Sequence, residues 1–119
     1  MNAIRGEGKL IRIFVGEADR FRGRPFFEAV VLAAREMGLG GATVLRGVQG
    51  FGANSVLHTS RLLRLSEDLP IVVEIVEMAE RIEPFVGLVK SMFDEAGCGG
   101  LITLERAEVI RYSGTRHKG

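Results

Sequence analysis

Two short runs of the chain are apolar on both of their alternating faces, and this feature constrains the fold more than any other. Residues 9–15 read Lys-Leu-Ile-Arg-Ile-Phe-Val, and residues 69–76 read Leu-Pro-Ile-Val-Val-Glu-Ile-Val. Both are too short and too rich in β-branched residues for helices, so both are expected as strands. Successive strand side chains point to opposite faces. Ile11, Ile13 and Val15 therefore oppose Leu10, Arg12 and Phe14, while Ile71, Val73 and Ile75 oppose Val72, Glu74 and Val76. A sheet covered by helices on one side should show polar residues on the other. Here Leu10, Phe14, Val72 and Val76 fall on the second side, so both faces require cover. An oligomer is the natural way to supply it.

The segments between these runs complete two strand–helix–strand halves. Residues 16–24 form a charged loop, and Pro25 suits a first helical turn, where its missing N–H is not needed. Phe26, Val30, Ala33, Ala34 and Met37 then recur at helical spacing, and Gly38 is placed to cap that helix. Residues 42–48 are expected as the second strand, leading into Gly50-Phe51-Gly52. Residues 53–68 are the least periodic part, with a helical turn expected near 55–60 and an extended piece near 62–65. A second helix is expected over about 79–94, carrying Ile82, Phe85, Val86, Val89, Met92 and Phe93 on one face. Pro84 fits only near its start, which predicts an irregular first turn. Gly97-Cys98-Gly99-Gly100 breaks the helix, and residues 101–112 supply a last strand or strand pair. The order β-α-β-loop-β-α-β predicts an α/β (α+β) ferredoxin-like fold: an antiparallel four-stranded sheet with both helices on one face. At 119 residues the chain has the length of a single domain, with a core over about 9–112 and a basic tail at 113–119.

Several functional classes are excluded by charge and composition. The net charge is +1 and there is one Tyr and no Trp, so no basic, aromatic-laced stripe points to nucleic acid. The apolar runs are too short to cross a bilayer, and residues 1–9 lack a signal-peptide core. Cys98 is the single cysteine, which rules out an internal disulfide. The expectation is a cytoplasmic protein.

Residues 41–44 through 50–52, 69–76 and 108–111 resemble the PII signalling proteins, and five ordered blocks resemble more closely a small PII-like family known as domain of unknown function number one hundred and ninety. They are Arg12-Ile13-Phe14-Val15-Gly16-Glu17, Gly41-Ala42-Thr43-Val44-Leu45-Arg46-Gly47, Gly50-Phe51-Gly52, Leu65-Ser66-Glu67-Asp68-Leu69-Pro70 and Glu108-Val109-Ile110-Arg111-Tyr112. Together they span about residues 10–112. The resemblance implies a homotrimer with effector pockets in the clefts between subunits. It implies that residues 49–68 reach a partner, that residues 97–100 cradle the phosphates of an adenine nucleotide, and that Arg111 is one of the basic residues of that pocket. An ion channel of the fluoride-export or camphor-resistance type is the membrane partner it suggests. The departures from PII proteins fall in the nucleotide pocket. Ala53-Asn54 replace an Arg-Gln pair, Gly100 replaces a Lys, Ser113 replaces a second Arg, and the modifiable loop Tyr has no counterpart. They imply weaker ATP binding than in PII proteins, or a different ligand.

Each candidate site residue also has a purely structural reading. Gly97, Gly99 and Gly100 could present backbone N–H groups to an anion, or simply cap a helix and turn. Gly50, Phe51 and Gly52 could line a ligand, or form a hinge with one buried aromatic. His58, Arg61 and Arg64 could bind phosphate or a carboxylate within the partner loop, whereas a solvated ion cluster of Arg64 with Glu67 and Asp68 is the more ordinary reading. His58, Cys98 and His117 show no metal-ligand spacing. In the ferredoxin-like strand order, Glu74 lies on the strand between those of Arg12 and Arg46, and a buried structural cluster of the three is expected. No Ser-His-Asp set, catalytic carboxylate pair or P-loop can be assembled. The expected function is regulatory and non-enzymatic: a small anionic effector, possible as an adenine nucleotide, shifts the 49–68 loop. The alternative is a trimeric metal-binding stress protein or small enzyme on the same scaffold.

Overall fold

The computed structural model describes residues 5–50 and 68–114. Eight elements follow in order: β1 (Gly6–Gly16), β2 (Arg20–Phe21), β3 (Arg24–Pro25), α1 (Phe26–Glu36), β4 (Thr43–Arg46), β5 (Pro70–Glu77), α2 (Ala79–Ala96) and β6 (Leu101–Val109). Four strands form one sheet in the order β4-β5-β1-β6, and every neighbouring pair is antiparallel. This is the ferredoxin-like arrangement expected from the sequence.

Strand parity decides what goes inside. Ile11, Ile13 and Val15 of β1 lie opposite Ile75, Val73 and Ile71 of β5, and all six are at most 5% exposed. The helices close this face with Phe26, Val30 and Ala34 from α1 and Ile82, Phe85, Val89 and Met92 from α2. Phe93 stacks on Phe26 at 4.7 Å between ring centroids, and Phe21 meets Phe26 edge-on at 6.0 Å.

Several local expectations are corrected. The charged loop over 16–24 contains the hairpin β2–β3, whose turn places Arg22 and Gly23 at φ 50° and 84°. Pro25 precedes α1 as its N-cap rather than sitting in the first turn. The second strand shortens to Thr43–Arg46, and β6 is one strand that ends at Val109. α2 accommodates Pro84 in its interior, and its start has mixed 3₁₀ and α character, because the Met78 carbonyl accepts from both Arg81 and Ile82 N–H at 3.0 Å.

Parity also buries one charge. Glu77 continues the inward series of β5 and is fully buried, the one buried charged residue among those described. Its Oε2 accepts Gly40 N–H at 3.0 Å and its Oε1 accepts Met78 N–H at 2.9 Å. Arg81, one helical turn on, places Nη1 3.5 Å from Glu77 Oε2 and donates through Nη2 to Gly38 O at 2.5 Å. A buried carboxylate is tolerated only when partnered in this way.

Candidate functional site

β1 and β4 end, and β5 and β6 begin, at the same end of the sheet. Both roots of the long segment after β4 are tied down there. Gly47 N–H donates to Pro70 O at 2.7 Å and Glu17 N–H to Leu69 O at 2.8 Å. Asp68 Oδ1 accepts Ala18 N–H at 2.9 Å, and Asp19 Oδ2 accepts Gly16 N–H at 2.8 Å. Gly50 sits over Pro70, where an added Cβ would lie 3.1 Å from Pro70 Cγ. Phe51, Gly52, His58, Arg61 and Arg64 lie outside the described residues.

The glycine turn at 97–100 stands at this same end. Gly97 is the left-handed C-cap of α2 at φ 69°, and its N–H donates to Phe93 O at 2.9 Å, so that donor is not available to an anion. A Cβ on Gly100 would reach the Phe93 ring and come within 2.7 Å of Phe14 O, so close packing already requires glycine there. Gly97, Gly99 and Gly100 are nonetheless exposed. Cys98 is half-buried beside them, and burial, aided by the nearby Asp19 carboxylate, pushes its thiol pKa up. A raised pKa suits an inert thiol rather than a nucleophile.

Arg111 is at the other end. It lies just past Val109, which pairs with Gly6, whereas Leu101 pairs with Phe14. The length of β6 separates Arg111 from the glycine turn by roughly 25 Å in one chain. Arg111 and the turn can meet only between subunits.

The expected three-residue ion cluster is only partly assembled. Arg12 Nε donates to Glu74 Oε2 at 2.8 Å, and Arg12 Nη1 also pairs with Glu105, which the sequence reading did not include. The hydrogen bond to Glu74 is the largest cause of the raised Arg12 pKa, which desolvation opposes and Glu105 reinforces. Arg46 pairs instead with Glu17. The register explains this: Arg46 lies opposite Ile71, on the helix-covered face, while Thr43 lies opposite Glu74. The Arg12 and Glu74 side chains are 34% and 29% exposed, so in a single subunit the pair is wet rather than dry. Register alone could have found Glu105, since Leu10 and Arg12 face Glu105 and Thr103 across β6.

The bare face of the sheet is ordered in rows. Leu45, Val72, Phe14 and Leu101 align across all four strands, followed by Thr43, Glu74, Arg12 and Thr103. Leu45 and Leu101 are 48% and 54% exposed. A separate groove of about 410 Å³ opens between the helices, over Leu32, Leu88 and Met92, with the bidentate Arg22–Glu95 pair on its rim at 2.6 and 2.7 Å. Among the described residues no helix is long and apolar enough to cross a membrane, and no cluster of His, Cys, Asp and Glu could hold a metal ion.

This ferredoxin-like sheet, with a long excursion after its second main strand and a glycine turn at the same end, has the fold of PII-like proteins. CPII of Thiomonas intermedia K12, described as a nitrogen regulatory PII-like protein, shares the fold. Its complex with ADP and bicarbonate matches with a TM-score of 0.66 at 17% identity, covering 88% of this chain and 90% of CPII. Its complex with ADP, AMP and bicarbonate matches with a TM-score of 0.64 at 16% identity and the same coverage. Residues 8–109 match the family model DUF190, described as “Uncharacterized ACR, COG1993”. A UPF0166 protein of Aquifex aeolicus (strain VF5) is 41% identical over 102 residues, 86% of this chain and 92% of that protein. The UPF0166 protein MJ1524 of Methanocaldococcus jannaschii is 27% identical over 105 residues, covering 88% and 94%. The chain belongs to the DUF190 (UPF0166) family.

Proposed function

We propose that this chain is a single-domain, homotrimeric PII-like regulator acting in the cytoplasm, which binds a small anionic effector in clefts between its subunits. The observation that carries this reading is the gathering, at one end of the sheet, of both tied roots of the 51–67 segment and the exposed glycine turn at 97–100. A ligand held at that end touches the base of the segment. It can therefore favour one conformation of it by differential contacts, and only such contacts shift a population. The partner read by the loop is a membrane transporter or channel in this proposal.

An adenine nucleotide is the effector class to test first, because CPII shares this fold and has been described with ADP and bicarbonate bound. The pocket would use exposed backbone at Gly99 and Gly100, the Gly50–Phe51–Gly52 base of the loop, and Arg111 from a neighbouring subunit. Its cationic content is modest, since the positions of three basic PII residues hold Ala53, Gly100 and Ser113. Affinity for ATP should be lower than PII proteins achieve.

The test is calorimetric titration with ADP, ATP and bicarbonate, on the parent and on Arg111→Ala. Saturable ADP binding that weakens about tenfold or more in Arg111→Ala is expected, as for loss of a charge-assisted hydrogen bond. Binding unchanged by Arg111→Ala would place the site elsewhere. A melting temperature raised by divalent metal and by no nucleotide would favour the metal-binding alternative.

A further inference from the structure

The end of the sheet away from the loop holds a chain of contacts that leads to Arg111. The turn between α1 and β4 is gripped from below by the buried Glu77, which takes the Gly40 N–H, and by Arg81, which donates to Gly38 O and, at 3.4 Å, to Met37 O. Gly38 is at φ 75°, and a Cβ there would lie 3.2 Å from Arg81 Nη2, so glycine suits both the conformation and the close approach. The fixed turn then offers the Gly40 carbonyl to a residue from the far end of the chain: the Tyr112 hydroxyl donates to it.

The partner of this bond needs holding. β6 stops at Val109, and residues 110–114 continue without strand pairing. Ile110 is 77% exposed and buries little that could anchor the segment. Arg111 is exposed and makes no ion pair or hydrogen bond among the described residues. Among those residues the Tyr112–Gly40 bond is the one side-chain hydrogen bond from residues 110–114 to the rest of the subunit. Tyr112 itself is 42% exposed, so its ring adds little to the core.

We propose that Tyr112 is a positioning residue for the effector site: its bond to the Gly40 carbonyl fixes the backbone on which Arg111 is displayed to the neighbouring subunit. The inference rests on the functional reading above for Arg111's role, and adds the device that places it. An unpinned segment of this kind would have to be ordered when ligand binds, and that ordering weakens affinity without removing a contact. The charge of Arg111 then acts at full strength only when the latch is closed.

Two measurements on the intact protein test this. The first is a double-mutant cycle read by ADP titration, with Tyr112→Phe made in the parent and in Arg111→Ala. Tyr112→Phe is expected to weaken ADP about threefold to tenfold in the parent, the range of one neutral hydrogen bond, and by less than about twofold in Arg111→Ala. Equal losses in both backgrounds, or no loss in the parent, would overturn the proposal. The second needs no ligand: Tyr112→Phe should speed amide hydrogen exchange in residues 110–114 while leaving β1 and β5 protected as in the parent. Unchanged exchange in 110–114 would show that no latch exists, whatever the ligand results. A parent that binds no ADP while exchange responds as expected would defeat the functional reading and leave Tyr112 as a tether of the C-terminal segment alone.

Discussion

The two faces of the sheet have nearly the same apolar content and opposite fates. On one, Ile11, Ile13, Val15, Ile71, Val73 and Ile75 vanish under two helices. On the other, the row Leu45, Val72, Phe14 and Leu101 stays half-buried or exposed, beside an Arg12–Glu74–Glu105 cluster that water reaches. One face is finished within a single chain, and the other has no cover within the described residues. The finished face carries folding and the bare face is the one the proposed trimer would cover, so substitutions on the two faces should separate folding from assembly.

The largest effect belongs to the finished face. Phe85 is fully buried, and Phe85→Ala should cost about 3–5 kcal/mol in chemical denaturation. On the bare face, Val72→Glu should leave the subunit folded and dissociate the oligomer, seen as a drop in mass with the helical circular dichroism retained. A Val72→Glu protein that keeps its mass would show that this face is not the interface.

Next comes the buried charge. Glu77→Ala removes the carboxylate that accepts the Gly40 and Met78 N–H groups and faces the Arg81 guanidinium, and should cost about 3 kcal/mol, while Glu77→Gln, which keeps an acceptor, should cost less. Glu74→Ala is the bare-face counterpart. In a lone subunit its loss should be slight, so a large fall in melting temperature that disappears on dilution would report burial of the pair by another copy. Gly100→Val should destabilise by about 1–3 kcal/mol through collision with Phe93 and Phe14 O, before any effect on ligand is considered. Loss of ADP binding in that variant would therefore say little about the site.

The smallest effect is electrostatic. Arg22, chiefly by hydrogen bonding, holds the Glu95 carboxyl below its ordinary range. A depressed folded-state pKa contributes stability above the unfolded value and loses it as pH falls through the folded one. The melting-temperature gap between parent and Glu95→Gln should be small at neutral pH and close as pH falls below about 4.5. A gap that persists in acid would assign the difference to packing instead.

Much of this fold could be read from residue alternation, because β1 and β5 carry apolar residues on both faces and α1 and α2 carry clean apolar stripes. Parity also reaches Glu77, two residues beyond Ile75, although a strand read as ending at Val76 leaves it out. The hairpin β2–β3 escaped because two-residue strands have no period to detect. The Arg46–Glu74 pairing expected from strand order does not form, because strand order alone does not fix register and a one-residue slip exchanges the faces. The glycines were legible as candidates, but their packing against Phe93, Phe14 and Pro70 depends on contacts between elements distant in sequence. The distance from Arg111 to residues 97–100 follows from the length of β6, and only assembly can close it.

Native mass spectrometry of the protein with ADP tests that assembly most directly. An ion of three chains of 13.0 kDa each is expected, taking up ADP in steps to three per assembly. ADP should no longer be retained once Val72→Glu has separated the subunits. A 13.0 kDa monomer that binds ADP by itself, or that remains the sole species at every concentration, would contradict that expectation.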